Sequence, residues 1–286
     1  MSHQQRALVA GATGYLGGEV VKVFHRAGYW VRALARDASR LSVKDSCDDV
    51  FVGEATKLSS LNGIMDSIDI VFSSIGLRSF SRKPTIWEVD YQANLNLVEL
   101  AERSGVQDFA FASLLRGDEI RDRLAVAEAR ERVVDALKAS EMRHTVVRPN
   151  GYFNDMREIF DMARRGRVWL VGSGDARFNP IHGADIADVI VEQLERTTDE
   201  DVELEIGGPD VFTLRKVGEL AFEKLGKRPR FGKLPAWVLS AGSKLLRPFN
   251  QNASTFLAMF SLMAEGDLVA PRVGTRHLDA FFDELA

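Results

Sequence analysis

The chain has 286 residues, 45% hydrophobic and 27% charged, enough to bury a core as one large domain or as one domain with a smaller appendage. A formal net charge of −4 argues against a general nucleic-acid or anionic-membrane surface. The single cysteine, Cys47, excludes an internal disulfide and offers no metal-ligand spacing. Residues Met1–Gln5 leave no room for a signal peptide and no apolar run reaches spanning length, so the expectation is a cytoplasmic protein with no integral membrane segment.

The first element is the one from which the rest is read. Arg6 to Ala10 is a short apolar strand that opens onto Gly11, Gly14 and Gly17, and an amphipathic helix follows at once. In a dinucleotide fold one glycine permits the turn, one lets backbone approach a pyrophosphate, and one lets helix and strand pack closely. The helix N-terminus adds amides and a favourable dipole.

Tyr29 to Ala35 is predicted as the second strand, with Arg36 at its carboxyl end. An acidic residue there favours NAD and an arginine can take a 2′-phosphate, so Arg36 favours NADP while Asp37 beside it keeps NAD open. Asp49–Val52 is a third strand, followed by Gly53, Glu54 and a helix through Leu58, Leu61 and Met65. Asp69 to Gly76 is a fourth strand ending in small residues, which suit a strand end over which a cofactor lies.

Helical spacing runs from Thr85 to Arg103, then a fifth strand from Asp108 to Ser113, then a long charged helix from about Asp122 to Ala139 whose arginines read most simply as a solvated face. His144 to Pro149 is the sixth strand. The alternation implies an α/β fold: a Rossmann-type, doubly wound parallel sheet over residues 1–150, with 151–286 as a smaller C-terminal part packed on the sheet as a substrate lid. In that second part a helix is expected over Phe153–Arg164 and strands at Val168–Val171 and Val202–Ile206. A helix should start near Asp185 as its cap, Thr213 should cap a helix through Leu225, and two or three apolar helices should complete the chain.

The glycine turn Gly11–Gly17, the strand Val31 to Asp37, the segment Val147-Arg148-Pro149 and the run Asn179 to Ala187 together resemble the atypical short-chain dehydrogenase/reductase group, in particular its NmrA-like and isoflavone-reductase-like NAD(P)-binding members. The resemblance implies that Gly11, Thr13, Gly14, Tyr15, Leu16 and Gly17 wrap the pyrophosphate and that Arg36 meets the 2′-phosphate. It also implies that Glu54 reads the adenine amino group, that Ser74 and Gly76 line the nicotinamide side, and that Pro149, Asn150 and Gly151 lie beside the nicotinamide amide. Ser113 falls near the catalytic serine position.

The chain departs from the group where the chemistry is done. Val126 and Arg130 stand where Tyr-x-x-x-Lys is usual, so the standard proton donor is absent. Arg130 is read either as a holder of the ribose hydroxyls or as one surface arginine among several. Ser113, Tyr152 and Asn150 are then the catalytic candidates, with Tyr91 and His182 as further protic groups, although His182 sits in a segment that looks structural.

Two functions follow. One is an NAD(P)H-dependent reductase, using NADP with NAD as the alternative, of a small to medium apolar substrate covered by the C-terminal helices, in keeping with a hydrophobic second half that carries Phe153, Trp169, Phe178, Trp237 and Phe249. The other is a non-catalytic NADP(H) sensor or assembly protein with a protein partner. A membrane-surface helix over Trp237 to Phe249 is a third reading, with only Lys244 and Arg247 to meet anionic lipid.

Overall fold

The computed structural model describes residues 4–286, so the expectation placed on Met1–His3 lies outside the described residues. In chain order the elements are β1 (Arg6–Ala10), α1 (Tyr15–Arg26), β2 (Trp30–Ala35), β3 (Asp49–Val52), β4 (Ile70–Ser73), α2 (Ala93–Arg103), β5 (Asp108–Ala112), α3 (Gly117–Ile120), α4 (Ala125–Ala139) and β6 (Arg143–Pro149). There follow α5 (Phe153–Arg164), β7 (Val168–Val171), β8 (Arg177–Phe178), α6 (Gly183–Leu194), β9 (Val202–Ile206), β10 (Phe212–Thr213), α7 (Leu214–Lys224), β11 (Phe231–Leu234), α8 (Ala236–Leu246), α9 (Gln251–Leu262) and α10 (Leu278–Asp283).

The main sheet has the order β3-β2-β1-β4-β5-β6-β9, and β3 through β6 pair in parallel. This is the doubly wound Rossmann arrangement. The chain builds outward from β1 to β3, then crosses back to lay β4 on the other side of β1, which makes the β1/β4 boundary the topological switch point.

Strand periodicity sorts the side chains into two faces. Leu8, Val71 and Phe109 share one row across β1, β4 and β5, and they pack with Leu97 of α2 and Val133 and Leu137 of α4 in one buried cluster. α1 buries Val20, Val21 and Phe24.

The chain divides into two compact units. The first comprises residues up to Arg78, Pro84–Arg148 and Ile186–Leu204; the second comprises Ser79–Lys83, Pro149–Asp185 and Glu205–Ala286. The second unit has its own core, in which Phe153, Phe160, Val217, Phe222 and Phe282 are buried together. Its small sheets pair β7 with β11 in parallel and β8 with β10 antiparallel.

Several elements differ from expectation for identifiable reasons. The helix expected through Met65 is a single 3₁₀ turn, Leu58–Leu61, and Gly63 soon after it takes φ +79. The long charged helix starts at Ala125 rather than Asp122, because Leu124 is extended. Ahead of α2 the chain winds as a π-helix over Trp87–Gln92. Asp185 does not cap α6: the helix begins at Gly183, the His182 ring accepts from the Ala184 amide at 3.1 Å, and the buried Asp185 carboxylate receives Arg276. Thr213 does cap α7, accepting from the Lys216 amide at 3.2 Å. No helix among the described residues is long and apolar enough to cross a membrane.

Candidate cofactor site

At the carboxyl end of β1, Gly11 takes φ +90, and a Cβ there would lie 2.8 Å from the Ser74 hydroxyl at the end of β4. Only glycine turns the chain at that point while letting the two strand ends approach. The Gly14 amide closes the turn on the Gly11 carbonyl at 2.8 Å. A Cβ on Gly17 would overlap that same carbonyl, so the third glycine is what lets α1 come down on the strand.

The first turn of α1 has no side-chain cap and no acidic residue, and Thr13 and Gly14 are exposed. The first amides of a helix have no partner within the helix, so this end presents donors and a positive dipole to an anion. Leu16 is buried beneath it.

The position at the end of β2 where the sequence expects nucleotide selection is equally well defined. Asp37 is turned onto its own chain: its carboxylate accepts from the Ser39 amide at 2.9 Å and the Ser39 hydroxyl at 2.7 Å, and these bonds hold it below the usual carboxylate range. Arg36 is exposed and makes no hydrogen bond or ion pair with the described residues. Glu54 pairs with Lys57 at 2.6 Å and accepts from Thr56 at 2.9 Å; Lys57, then Thr56, depress its pKa, and the charge of Arg36 adds to this. Of Arg36 and Asp37, the arginine is therefore the one with its side chain available.

Further along the same sheet edge the polar groups are satisfied internally. Arg130 does not lie on a solvated helix face. Its guanidinium is 11% exposed, pairs with Asp90 at 2.9 Å, and donates to the carbonyls of Ala112 and Ile75 at 2.5 and 3.4 Å. Asp90, fully buried on the π-helix, also accepts from the Leu77 amide at 3.0 Å. Burial pushes its carboxyl above the ordinary value, against the pull of Arg130 and that amide. Gly76 lies directly against the pair, where a Cβ would overlap the guanidinium.

A second network, buried at Ser113, Glu131 and Arg148 and reaching solvent at Glu203 and Lys138, closes the ends of β5 and β6. Arg148 binds Glu131 through two hydrogen bonds, 2.6 and 2.9 Å, and Glu203 at 2.8 Å, while Lys138 meets the other oxygen of Glu203 at 2.5 Å. Two cations thus face two carboxylates, which is how buried charge is tolerated. Ser113 is fully buried, and its hydroxyl donates to Glu131 at 2.7 Å.

In the second unit, Asn150 donates to Asn179 at 2.6 Å and to the Leu268 carbonyl. Asn179 in turn holds the Gly208 and Ala270 carbonyls and the Ala270 amide, so Asn150 belongs to a buried clamp. Pro149 ends β6. Tyr152 precedes α5 half-buried, its amide donating to Asp155 at 3.1 Å. His182 packs edge-on against Phe153 at 5.6 Å, and its ring caps α6.

The structure thus brings Gly11 to Gly17, Arg36, Glu54, Ser74, Gly76, Ser113 and Arg130 into the first unit, and Pro149, Asn150 and Tyr152 into the second. Sequence reasoning missed Asp90 and Glu131. Each had a signal. Asp90 sits four residues after Ile86 and three before Ala93, and Glu131 four after Ala127 and three before Val134, so both carboxylates lie on buried helical stripes.

A model of an NAD(P)H-binding family matches residues 11–197. The chain belongs to that NAD(P)H-binding family. Among its relatives is the chloroplastic divinyl chlorophyllide a 8-vinyl-reductase of Zea mays, 27% identical over 277 residues that cover 87% of this chain and 68% of the relative. Another is the photosystem II assembly factor Ycf39 of Synechocystis, 23% identical and covering 91% and 81%. The fold superposes on an NADPH-dependent quinone oxidoreductase of Escherichia coli, crystallised with NADPH, with a TM-score of 0.71, 18% identity, and 98% and 99% of the two chains covered. This last is a likeness of fold. The chain thus joins a Rossmann scaffold to membership of an NAD(P)H-binding family, and its relatives include both a reductase and an assembly factor.

Proposed function

We propose that the protein is an NADPH-dependent reductase of an apolar acceptor that carries its own electron sink, a conjugated vinyl or enone group or a quinone. The observation that carries this reading is a contrast along one sheet edge. The glycine turn and Arg36 are open for NADP(H), whereas the two positions from which the group usually delivers a proton are closed: the Ser113 hydroxyl is engaged by Glu131, and Val126 stands at the usual tyrosine position.

The bound nucleotide would supply hydride, and the chain's own residues would bind and orient it. Amides of the Gly11–Gly17 turn would hold the pyrophosphate, Arg36 the 2′-phosphate, and Glu54 the adenine edge. An unactivated ketone needs a protein acid when hydride arrives. A conjugated acceptor spreads the new charge and takes its proton from water, so it needs none. The vinyl-reductase relative and the quinone-reductase fold neighbour are in keeping with such acceptors.

The test is NADPH oxidation by purified protein with quinones, enones and vinyl-bearing macrocycles, and with unconjugated ketones as controls. Oxidation by a conjugated acceptor and none by the ketones is expected. Tight NADPH binding with no oxidation by any acceptor would replace this reading with the non-catalytic sensor.

A further inference from the structure

The second unit contains a helical hairpin whose amphipathicity is reversed. In α9 the buried residues are Asn252, Ala253, Ser254, Thr255 and Ser261, whereas Phe256, Leu257, Met259 and Phe260 remain partly exposed. In α8, Leu239 and Ser243 are buried, and Ser243 meets Ser254 at 3.1 Å in the seam between the helices. In α9 the buried residues are thus the small and polar ones and the large apolar ones are partly exposed, the opposite of a helix that faces water.

The outward face of α8 is continuous. Trp237, Ala241, Lys244 and Leu245 follow the i, i+4, i+7, i+8 spacing of one helical stripe, and all are exposed, Trp237 by 71% and Leu245 by 73%. Phe249 extends it at 65%. The segment Ser79–Lys83 is fastened beside the hairpin: Asn250 donates to the Phe80 carbonyl at 2.7 Å, Asn252 to the Ser81 carbonyl at 2.6 Å, and Phe80 packs tilted against Phe256 with ring centroids 5.1 Å apart. That places Phe80, itself 56% exposed, and Arg82 with the hairpin.

Charge identifies what this face meets. In a chain of net charge −4, the stretch from Leu225 to Ala264 contains no Asp or Glu but six lysines and arginines. The side chains of Arg82, Lys233, Lys244 and Arg247 form no ion pair among the described residues. With helices of 11 and 12 residues, about 17 Å long, the hairpin is far too short to cross a bilayer core of about 30 Å. Exposed tryptophan and leucine interleaved with unpaired lysine and arginine is the composition of a helix that lies in the interfacial plane.

We propose that α8, α9 and Ser79–Lys83 form a docking face for the anionic surface of a lipid bilayer. Trp237, Leu245 and Phe249 enter the boundary of the acyl chains, and Lys244, Arg247 and Arg82 meet the lipid phosphates. The proposal is independent of the reductase reading, since NADPH binding and turnover are measured without lipid.

The experiment is co-sedimentation of the full chain with vesicles of phosphatidylcholine alone or with about one-third phosphatidylglycerol. Binding to the phosphatidylglycerol vesicles, weakened by high salt, is expected. The double change Trp237→Ser and Leu245→Ser should lower the partition coefficient by roughly tenfold or more. The double change Lys244→Glu and Arg247→Glu should remove the preference for phosphatidylglycerol. The substituted positions are exposed, so the melting temperature of each variant should match that of the parent. Quenching of tryptophan fluorescence by brominated lipid should fall in Trp237→Phe, which reports insertion without loss of the ring.

The proposal is overturned if the parent protein stays in the supernatant at every composition, or if both double variants sediment as well as the parent. It is also overturned if the protein binds no vesicle and forms a dimer that the serine double change dissociates. That last result would assign the face to a second copy of the chain.

Discussion

The ends of β1 and β4 and the ends of β5 and β6 belong to one sheet edge, yet they treat their polar groups in opposite ways. At the first pair the chain turns through Gly11 with φ +90 and leaves α1 uncapped by any side chain, and at the end of the neighbouring β2 Arg36 forms no hydrogen bond or ion pair among the described residues. At the second pair Ser113, Glu131, Arg148, Glu203 and Lys138 satisfy one another. A donor that must meet a ligand cannot already be satisfied, and a buried charge that meets no ligand must be. On the proposed reading the open half is where affinity for the nucleotide would reside, and the closed half is where buried charge is satisfied within the fold.

Substitutions can break that contrast in order of expected size. Glu131→Ala leaves Arg148 buried with only part of its counter-charge, and stability should fall by about 3–5 kcal/mol in denaturant unfolding. Retention of the parent midpoint would show that the β5/β6 network is not a stability element. Gly17→Val drives a side chain into the Gly11 carbonyl and should cost about 3 kcal/mol while abolishing NADPH binding in calorimetry. Arg36→Ala should leave the melting temperature unchanged but weaken NADPH by roughly 10- to 100-fold, with NADH affinity unaltered. An equal loss for both nucleotides would remove Arg36 from the 2′-phosphate. Ser113→Ala should cost about 1 kcal/mol of stability and change turnover by less than about threefold, since its hydroxyl serves Glu131.

The smallest effect is one of pH. Burial raises the Glu203 pKa, but hydrogen bonds from Lys138 and Arg148 outweigh it and hold the carboxyl below its ordinary value. A group depressed in the folded state stabilises above its unfolded pKa and loses that contribution as pH falls through the folded value. The gap in melting temperature between the parent and Glu203→Gln should therefore narrow from about pH 6 to about pH 3. A gap that is constant with pH would mean that Glu203 acts by shape and not by charge.

Most of the sheet was legible because its rules are short-ranged. Strands β3, β7 and β9 fall at their expected bounds, and β1 is followed by its glycine turn, since alternation and glycine sterics act within a few residues. Arg130 illustrates where such reading stops. On its helix it is one arginine among several, and only the fold brings it to Asp90, 40 residues earlier, and to the Ala112 carbonyl, 18 residues earlier. Asp185 is a second case: it reads as a helix cap, but Arg276, 91 residues away, takes its carboxylate.

By itself, then, the amino-acid sequence determined a doubly wound sheet, a glycine turn at residues 11–17 and the lack of a tyrosine–lysine pair, because each is a matter of residue type at close spacing. Only the tertiary structure decided which polar side chains remain available. Ser113 meets Glu131 across 18 residues, and Arg148 meets Glu203 across 55. A hydrogen bond or buried ion pair depends on distance in space, and distance in space is a property of the assembled fold.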